Sequence, residues 1–182
     1  MEPDVIPEML LIAGTGRNTG KTTFACNILR KFSRDHSIIS LKISPHFHKN
    51  VPGGNIIVNR DNIYIAEETD ETSGKDSSLM LQAGARQSYF IMAEDVHLDF
   101  VVQSMKYFVP FGSLLLCESG GLRSHVVPGL FFMMDGKEAG IAKPSTEKLK
   151  LLADRVITLD DENIDFDLNS IEIADNRWYL KQ

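Results

Sequence analysis

The chain has 182 residues, of which 43% are hydrophobic and 24% charged, and carries a net charge of −6 at neutral pH. That length suits one domain able to bury a real core, and the composition is ordinary for a soluble globular protein. The acidic balance argues against a general nucleic-acid or membrane-surface binder. Two cysteines, Cys26 and Cys117, make no disulfide framework, so reduced, buried thiols in a cytoplasmic protein are expected. Met1-Glu2-Pro3-Asp4 carries no basic region followed by an apolar core, so no signal peptide is expected. No run is apolar enough to span a membrane, and no repeat or low-complexity tract stands out.

In chain order, Met9-Leu10-Leu11-Ile12-Ala13 reads as a short apolar strand. Gly14-Thr15-Gly16-Arg17-Asn18-Thr19-Gly20-Lys21-Thr22-Thr23 follows. Beyond it, Phe24, Ala25, Ile28, Leu29 and Phe32 fall at the spacing of an amphipathic helix. Strand, glycine-rich loop and helix is the order a phosphate-binding loop requires. Glycines let the backbone bend so that successive N–H groups point inward, and the helix N-terminus favours an anion. Lys21 is placed to reach the β- and γ-phosphates, and the Thr22 hydroxyl to ligate Mg²⁺. One departure is Thr15, which stands where the usual pattern has its first glycine.

Ser37 to Ser44 predicts a second strand, ended by Pro45. Lys42 lies at its carboxyl end, on the side where ligands gather in open α/β sheets. His46 and His48 suggest a metal pair but lack a third ligand at a recognisable spacing, so a solvated loop is the competing reading. Asn55–Asn59 and Ile63–Glu67, flanking Arg60-Asp61-Asn62, predict a β-hairpin that interrupts the α/β alternation, as an edge extension or a dimer arm. An acidic, turn-like stretch, Glu67 to Glu71, comes next. Gly74-Lys75-Asp76-Ser77 then opens a helix over Ser78–Ala85, with Asp76 as its N-cap. In the functional reading, Lys75 and Asp76 also face the nucleotide.

Gln87 to Met92 predicts a strand, and Leu98, Val101, Val102, Met105 and Phe108 predict a helix over Asp95–Phe108. Ser113 to Glu118 is a continuous apolar run closed by one acid, the pattern of a parallel strand covered on both faces. Glu118 is therefore a candidate to hold Mg²⁺ with Thr22 or to orient a nucleophile. Leu130–Met134, a helix from Pro144 to about Asp154, and Arg155–Leu159 follow, with an edge strand expected near Ile171–Ile173. The fold class expected is α/β, a P-loop NTPase-like three-layer domain with a mainly parallel sheet and an inserted hairpin. Lys21, Lys42 and Glu118 are the candidate catalytic groups.

Several of these segments resemble known families. The loop spacing of Gly14 to Thr23 and the turn Glu118-Ser119-Gly120-Gly121 are similar to those of dethiobiotin synthetase. Four features together resemble the molybdopterin-guanine dinucleotide biosynthesis adaptor family, MobB. They are the loop, Lys42 followed by His46 and His48, Gly74-Lys75-Asp76-Ser77 followed by Gln82-Ala83-Gly84-Ala85, and Glu118 closing an apolar strand. That resemblance covers residues 9–160 in pieces. It implies a GTP-binding homodimer with weak hydrolysis that assists the nucleotidyltransferase joining GMP to molybdopterin. Two departures stand out. The family's glutamate strand is followed by a lysine-bearing segment, absent here, and the histidine-rich segment after Lys42 is reduced. With no Asn-Lys-x-Asp motif to read guanine, GTP over ATP rests on resemblance alone. An ATP-dependent ligase and a nucleotide-gated interaction protein remain the alternatives.

Overall fold

The computed structural model describes residues 2–47, 54–136, 144–160 and 163–181. β1 (Asp4–Gly14) leads into α1 (Lys21–Phe32) and β2 (Ile38–Ser44). The hairpin of β3 (Gly54–Arg60) and β4 (Ile63–Glu68) comes next, then α2 (Asp76–Gln82) and β5 (Gln87–Ala93). A 3-10 turn opens α3 (Leu98–Met105), and β6 (Leu114–Glu118) is joined to β7 (Val126–Asp135) by another. The chain continues through α4 (Pro144–Leu152), β8 (Arg155–Asp160) and β9 (Asn163–Ile164) to β10 (Ile171–Ala174) and β11 (Arg177–Leu180).

One sheet takes the order β3-β4-β5-β2-β6-β1-β7-β8-β9. From β5 to β8 every pair is parallel. The hairpin and the two-residue β9 are antiparallel additions at the two edges. β6 therefore lies between β1 and β2, the two strands that α1 connects. Strand alternation sorts the side chains into two cores. Leu41, Ile91, Leu115 and Cys117 face the side covered by Leu98, Val101, Val102 and Met105 of α3. Leu10, Ile12, Leu114 and Leu116 face α1, meeting Phe24, Ile28 and Leu29. The parallel strands are apolar on both faces because both are covered.

The expected α/β class and hairpin are present, and several boundaries differ. β1 starts at Asp4 because Asp4–Ile6 pair with Val126–Pro128 of β7, with a register irregularity before Leu10. The helix expected over Asp95–Phe108 is split and ends at Met105; Leu98, Val101, Val102 and Met105 are buried as the periodicity requires, and the partly buried Phe108 beyond its end packs 4.8 Å from the Tyr89 ring centroid. Glu67 ends the hairpin strand as expected, and Glu68 extends β4 by one residue instead of starting a turn, since it continues the ladder with β3. Ile171–Ile173 do not extend the main sheet. The positive φ angles of Asp175 (47°) and Asn176 (58°) close β10 onto β11 in a tight turn. The resulting two-stranded sheet lays Ile171 and Trp178 in the α1-side core, where Trp178 stands edge-on to Phe32 at 5.8 Å.

Candidate functional site

The loop after β1 is moored at its start. Thr15 N–H donates to Met134 O at 3.0 Å, and Thr15 Oγ1 accepts from Gly136 N–H at 3.1 Å, so the unexpected threonine ties the loop to β7. Gly14 is required by space: a Cβ there would lie 2.5 Å from Thr19 Oγ1 and 2.9 Å from Lys21 Cδ. Asn18 (φ 55°) and Gly20 (φ 84°) take left-handed conformations that reverse the chain into α1. Arg17 and Asn18 form a hydrogen-bonded turn, and among the described residues no backbone carbonyl accepts from the N–H groups of Gly20 to Thr23, where α1 begins. A run of free donors at the positive end of a helix dipole is an anion-binding feature. The loop lines a cleft of about 510 Å³, shared with Lys42, Ser44, His46, Asp76, Phe90 and Glu118.

Sheet register builds the floor of that cleft. Ile12 pairs with Glu118, Glu118 with Lys42 and Lys42 with Phe90, one row across four parallel strands. Cross-strand partners share a face, so Glu118 and Lys42 both project on the α1 side. Glu118 is only 1% exposed. Its Oε2 accepts from Thr22 Oγ1 at 2.8 Å, and its Oε1 accepts from Lys42 Nζ. Lys42 Nζ also lies 2.7 Å from Asp76 Oδ2. Lys21 Nζ curls back over the loop, donating to Gly16 O at 2.7 Å and to Thr19 Oγ1 at 3.2 Å.

The two lysines are tuned in opposite directions. Burial pulls the pKa of Lys42 down, but the carboxylates of Glu118 and Asp76 together outweigh it and hold the ammonium above its ordinary range. Burial lowers Lys21, Glu118 opposes that shift, and the neighbouring Lys42 adds to it. Lys21 is therefore a desolvated cation without a carboxylate of its own, and an added anion would relieve it. Cys117, one residue before Glu118, is raised by burial and then by that carboxylate, which leaves it an unreactive thiol.

Asp76 does not serve as the expected N-cap. Lys75 holds that position, no side chain caps the helix, and Asp76 is its first residue. The reason is competition: the Asp76 carboxylate turns to Lys42 instead of to the helix amides. Glu68 supports this placement and was hidden within the acidic stretch. It is 3% exposed, and it accepts from Thr69 N–H at 3.1 Å, Asp70 N–H at 2.9 Å and Ser77 Oγ at 2.8 Å. It thereby clasps both ends of the segment that delivers Asp76. Two acids, Glu67 and Glu68, follow the apolar run Ile63–Ala66, and folding alone shows that Glu68 is the buried one.

Arg17, Asn18, Thr19, Gly20, Lys21, Thr22, Thr23, Lys42, Asp76 and Glu118 thus come together at one cleft, whereas Gly14, Thr15, Gly16 and Lys75 do not line it. Ser44 and Phe90 join the lining without having been singled out; polar Ser44 and Lys42 alternating with apolar Leu41 and Ile43 was the available sign. His46 lines the cleft, and His48 lies outside the described residues. No family model, curated protein or solved structure matches this chain. Among the described residues, no group of three or more His, Cys, Asp or Glu side chains is placed to hold a metal. No helix there is long and apolar enough to cross a membrane.

Proposed function

We propose that the cleft binds a nucleoside triphosphate with Mg²⁺ and hydrolyses it slowly. One observation carries this reading: the Thr22 hydroxyl, at the N-terminus of α1 and next to Lys21, bonds the buried Glu118 carboxylate at 2.8 Å. The loop amides and Lys21 take the phosphate oxygens. Thr22 Oγ1, Glu118 and Asp76 offer an all-oxygen donor set, which fits a hard cation that takes one or two carboxylates and keeps several waters. When bound, Mg²⁺ neutralises phosphate charge. Lys42, between the two carboxylates and in the same cleft as the loop, would supply positive charge to the terminal phosphate. Both carboxylates are already engaged by Lys42, so neither stands as a free base, in keeping with slow turnover.

The resemblance to the molybdopterin-guanine dinucleotide adaptor family extends this reading. It takes GTP as the nucleotide, molybdenum-cofactor assembly as the setting, a molybdopterin nucleotidyltransferase as the partner and a cytoplasmic homodimer as the working form. A second reading has its own support. The cleft continues past Lys42 to Ser44, His46 and Phe90, where a small substrate of an ATP-dependent ligase would sit.

Calorimetry with GTP, ATP and their diphosphates, with and without Mg²⁺, tests the proposal. Lys21→Ala is expected to lose a charge-assisted contact worth about 1.5–3 kcal/mol of triphosphate affinity. A parent protein that binds no triphosphate, or a variant that binds it equally well, overturns the reading.

A further inference from the structure

We infer that the Lys42 ammonium and a divalent cation compete for the same two carboxylates, so that phosphate is what admits the metal. This rests on the nucleotide reading above and deepens it. Lys42 Nζ lies 2.7 Å from Asp76 Oδ2 and bonds Glu118 Oε1. Glu118 Oε2 is held by the Thr22 hydroxyl at 2.8 Å. The ammonium therefore stands among the three oxygen-bearing groups that suit a hard cation, and it supplies one positive charge to two negative ones.

Glu118 is 1% exposed, and the Lys42 side chain is 15% exposed. Water therefore screens the Lys42–Glu118 pair poorly, whereas the Asp76 side chain is 43% exposed and its share of the balance is partly screened. A divalent ion entering while Lys42 stays would place two cations on one pair of carboxylates. A triphosphate in the loop gives Lys42 an alternative anion. The lysine can then turn to phosphate, and the metal takes the carboxylates. Metal and nucleotide thus bind with positive coupling, and each raises the affinity for the other by the same factor. Removing the ammonium leaves two carboxylates and a hydroxyl facing one another with no cation between them, Lys21 acting on both carboxylates from the loop. Lys42→Met, which keeps most of the unbranched side chain without its charge, turns the cleft into a metal site that no longer needs nucleotide.

The test uses the full chain, Mn²⁺ as the metal probe, no nucleotide, and free Mn²⁺ read by electron paramagnetic resonance. Parent, Lys42→Met, Lys42→Arg and the double variant Lys42→Met with Asp76→Asn are compared. Lys42→Met is expected to bind Mn²⁺ at least about tenfold more tightly than the parent, because it removes a unit positive charge that repels the metal at the carboxylates. Lys42→Arg, which keeps the cation, is expected to behave like the parent, and the double variant to lose the gain. Equal Mn²⁺ affinity in parent and Lys42→Met overturns the inference. Should Lys42→Met fail to fold in chelator, thermal melts decide. Mn²⁺ restoring a folding transition to Lys42→Met but not to its Asp76→Asn double supports the competition, and no response to Mn²⁺ refutes it. A parent that binds no triphosphate would sink the nucleotide reading and the phosphate gating with it, and the competition between Lys42 and the metal, which this comparison tests without nucleotide, would stand or fall on the Mn²⁺ affinities.

Discussion

Glu118 and Asp76 hold the same ammonium, and their different burial makes a quantitative demand on stability. Glu118 is 1% exposed, whereas the Asp76 side chain is 43% exposed. Breaking a buried ion pair by removing one partner costs about 3–5 kcal/mol. Glu118→Gln is milder, because its amide oxygen still accepts a hydrogen bond and Lys42 keeps Asp76. The loss reduces to charge-assisted hydrogen bonds, about 1.5–3 kcal/mol. Asp76→Asn removes a largely solvated partner, worth about 0–1 kcal/mol. At about 2–4 °C per kcal/mol for a chain of this size, Glu118→Gln is expected to lower Tm by about 3–12 °C and Asp76→Asn by less than about 4 °C. Urea melts at pH 7.5 in chelator, followed by far-UV circular dichroism and the fluorescence of the buried Trp178, measure both. Equal costs, or a larger one for Asp76→Asn, would refute the claim that the sheet-borne glutamate is the main anchor of Lys42.

The loop glycines separate cleanly. Gly20 has φ 84° and a Cβ there would meet Leu159 Cδ2 at 2.8 Å, so Gly20→Ala is expected to cost about 1–3 kcal/mol; Gly16, with nothing within 4 Å of its Cβ position, should accept alanine with a change under about 0.5 kcal/mol, both read from denaturant midpoints. Alkaline pH gives a signed test. The folded pKa of Lys42 lies above the ordinary 10.5, so its contribution is complete below 10.5 and fades as pH rises through the higher folded value. The lowered pKa of Lys21 acts oppositely: its cost is present below its folded value and is relieved toward 10.5. Denaturant melts from pH 8 to 11.5 should therefore show a larger alkaline loss in the parent than in Lys42→Met, since the raised Cys26, Tyr64, Tyr89, Cys117 and Lys150 add a loss common to both. Finally, β3 is an exposed edge with Ile56 58% and Ile57 39% exposed, a template for a partner strand. Replacing the exposed Ile56 and Ile57 of β3 by lysine is expected to leave a monomer by light scattering, and a dimer that survives would place the interface elsewhere.

Much of the site was legible locally. A glycine-rich segment between an apolar run and an amphipathic pattern dictates a bent loop opening a helix, because the constraint is the backbone chemistry of those residues. The burial of Glu118 followed from an unbroken apolar run closed by one acid. The Asp61-Asn62 turn was equally readable, with Asn62 taking the left-handed φ of 61° that such a turn uses. What the sequence could not declare was which strands are neighbours. Ladder hydrogen bonds join backbone groups that nearly every residue carries, so β2 has no local preference for β6 over β1. That choice is made by the two helical layers packing on both faces at once, and it sets Glu118 between Ile12 and Lys42. Asp76 shows the same limit. Its position licensed a helix cap, but a carboxylate goes to its strongest donor, and the Lys42 ammonium, 34 residues earlier in the chain, becomes that donor only when α2 and β2 are packed together. The tail likewise read as an edge strand until its own turn offered Ile171 and Trp178 a closer apolar surface on α1, because burial rewards whichever face is nearest in space and the chain reveals that only when folded.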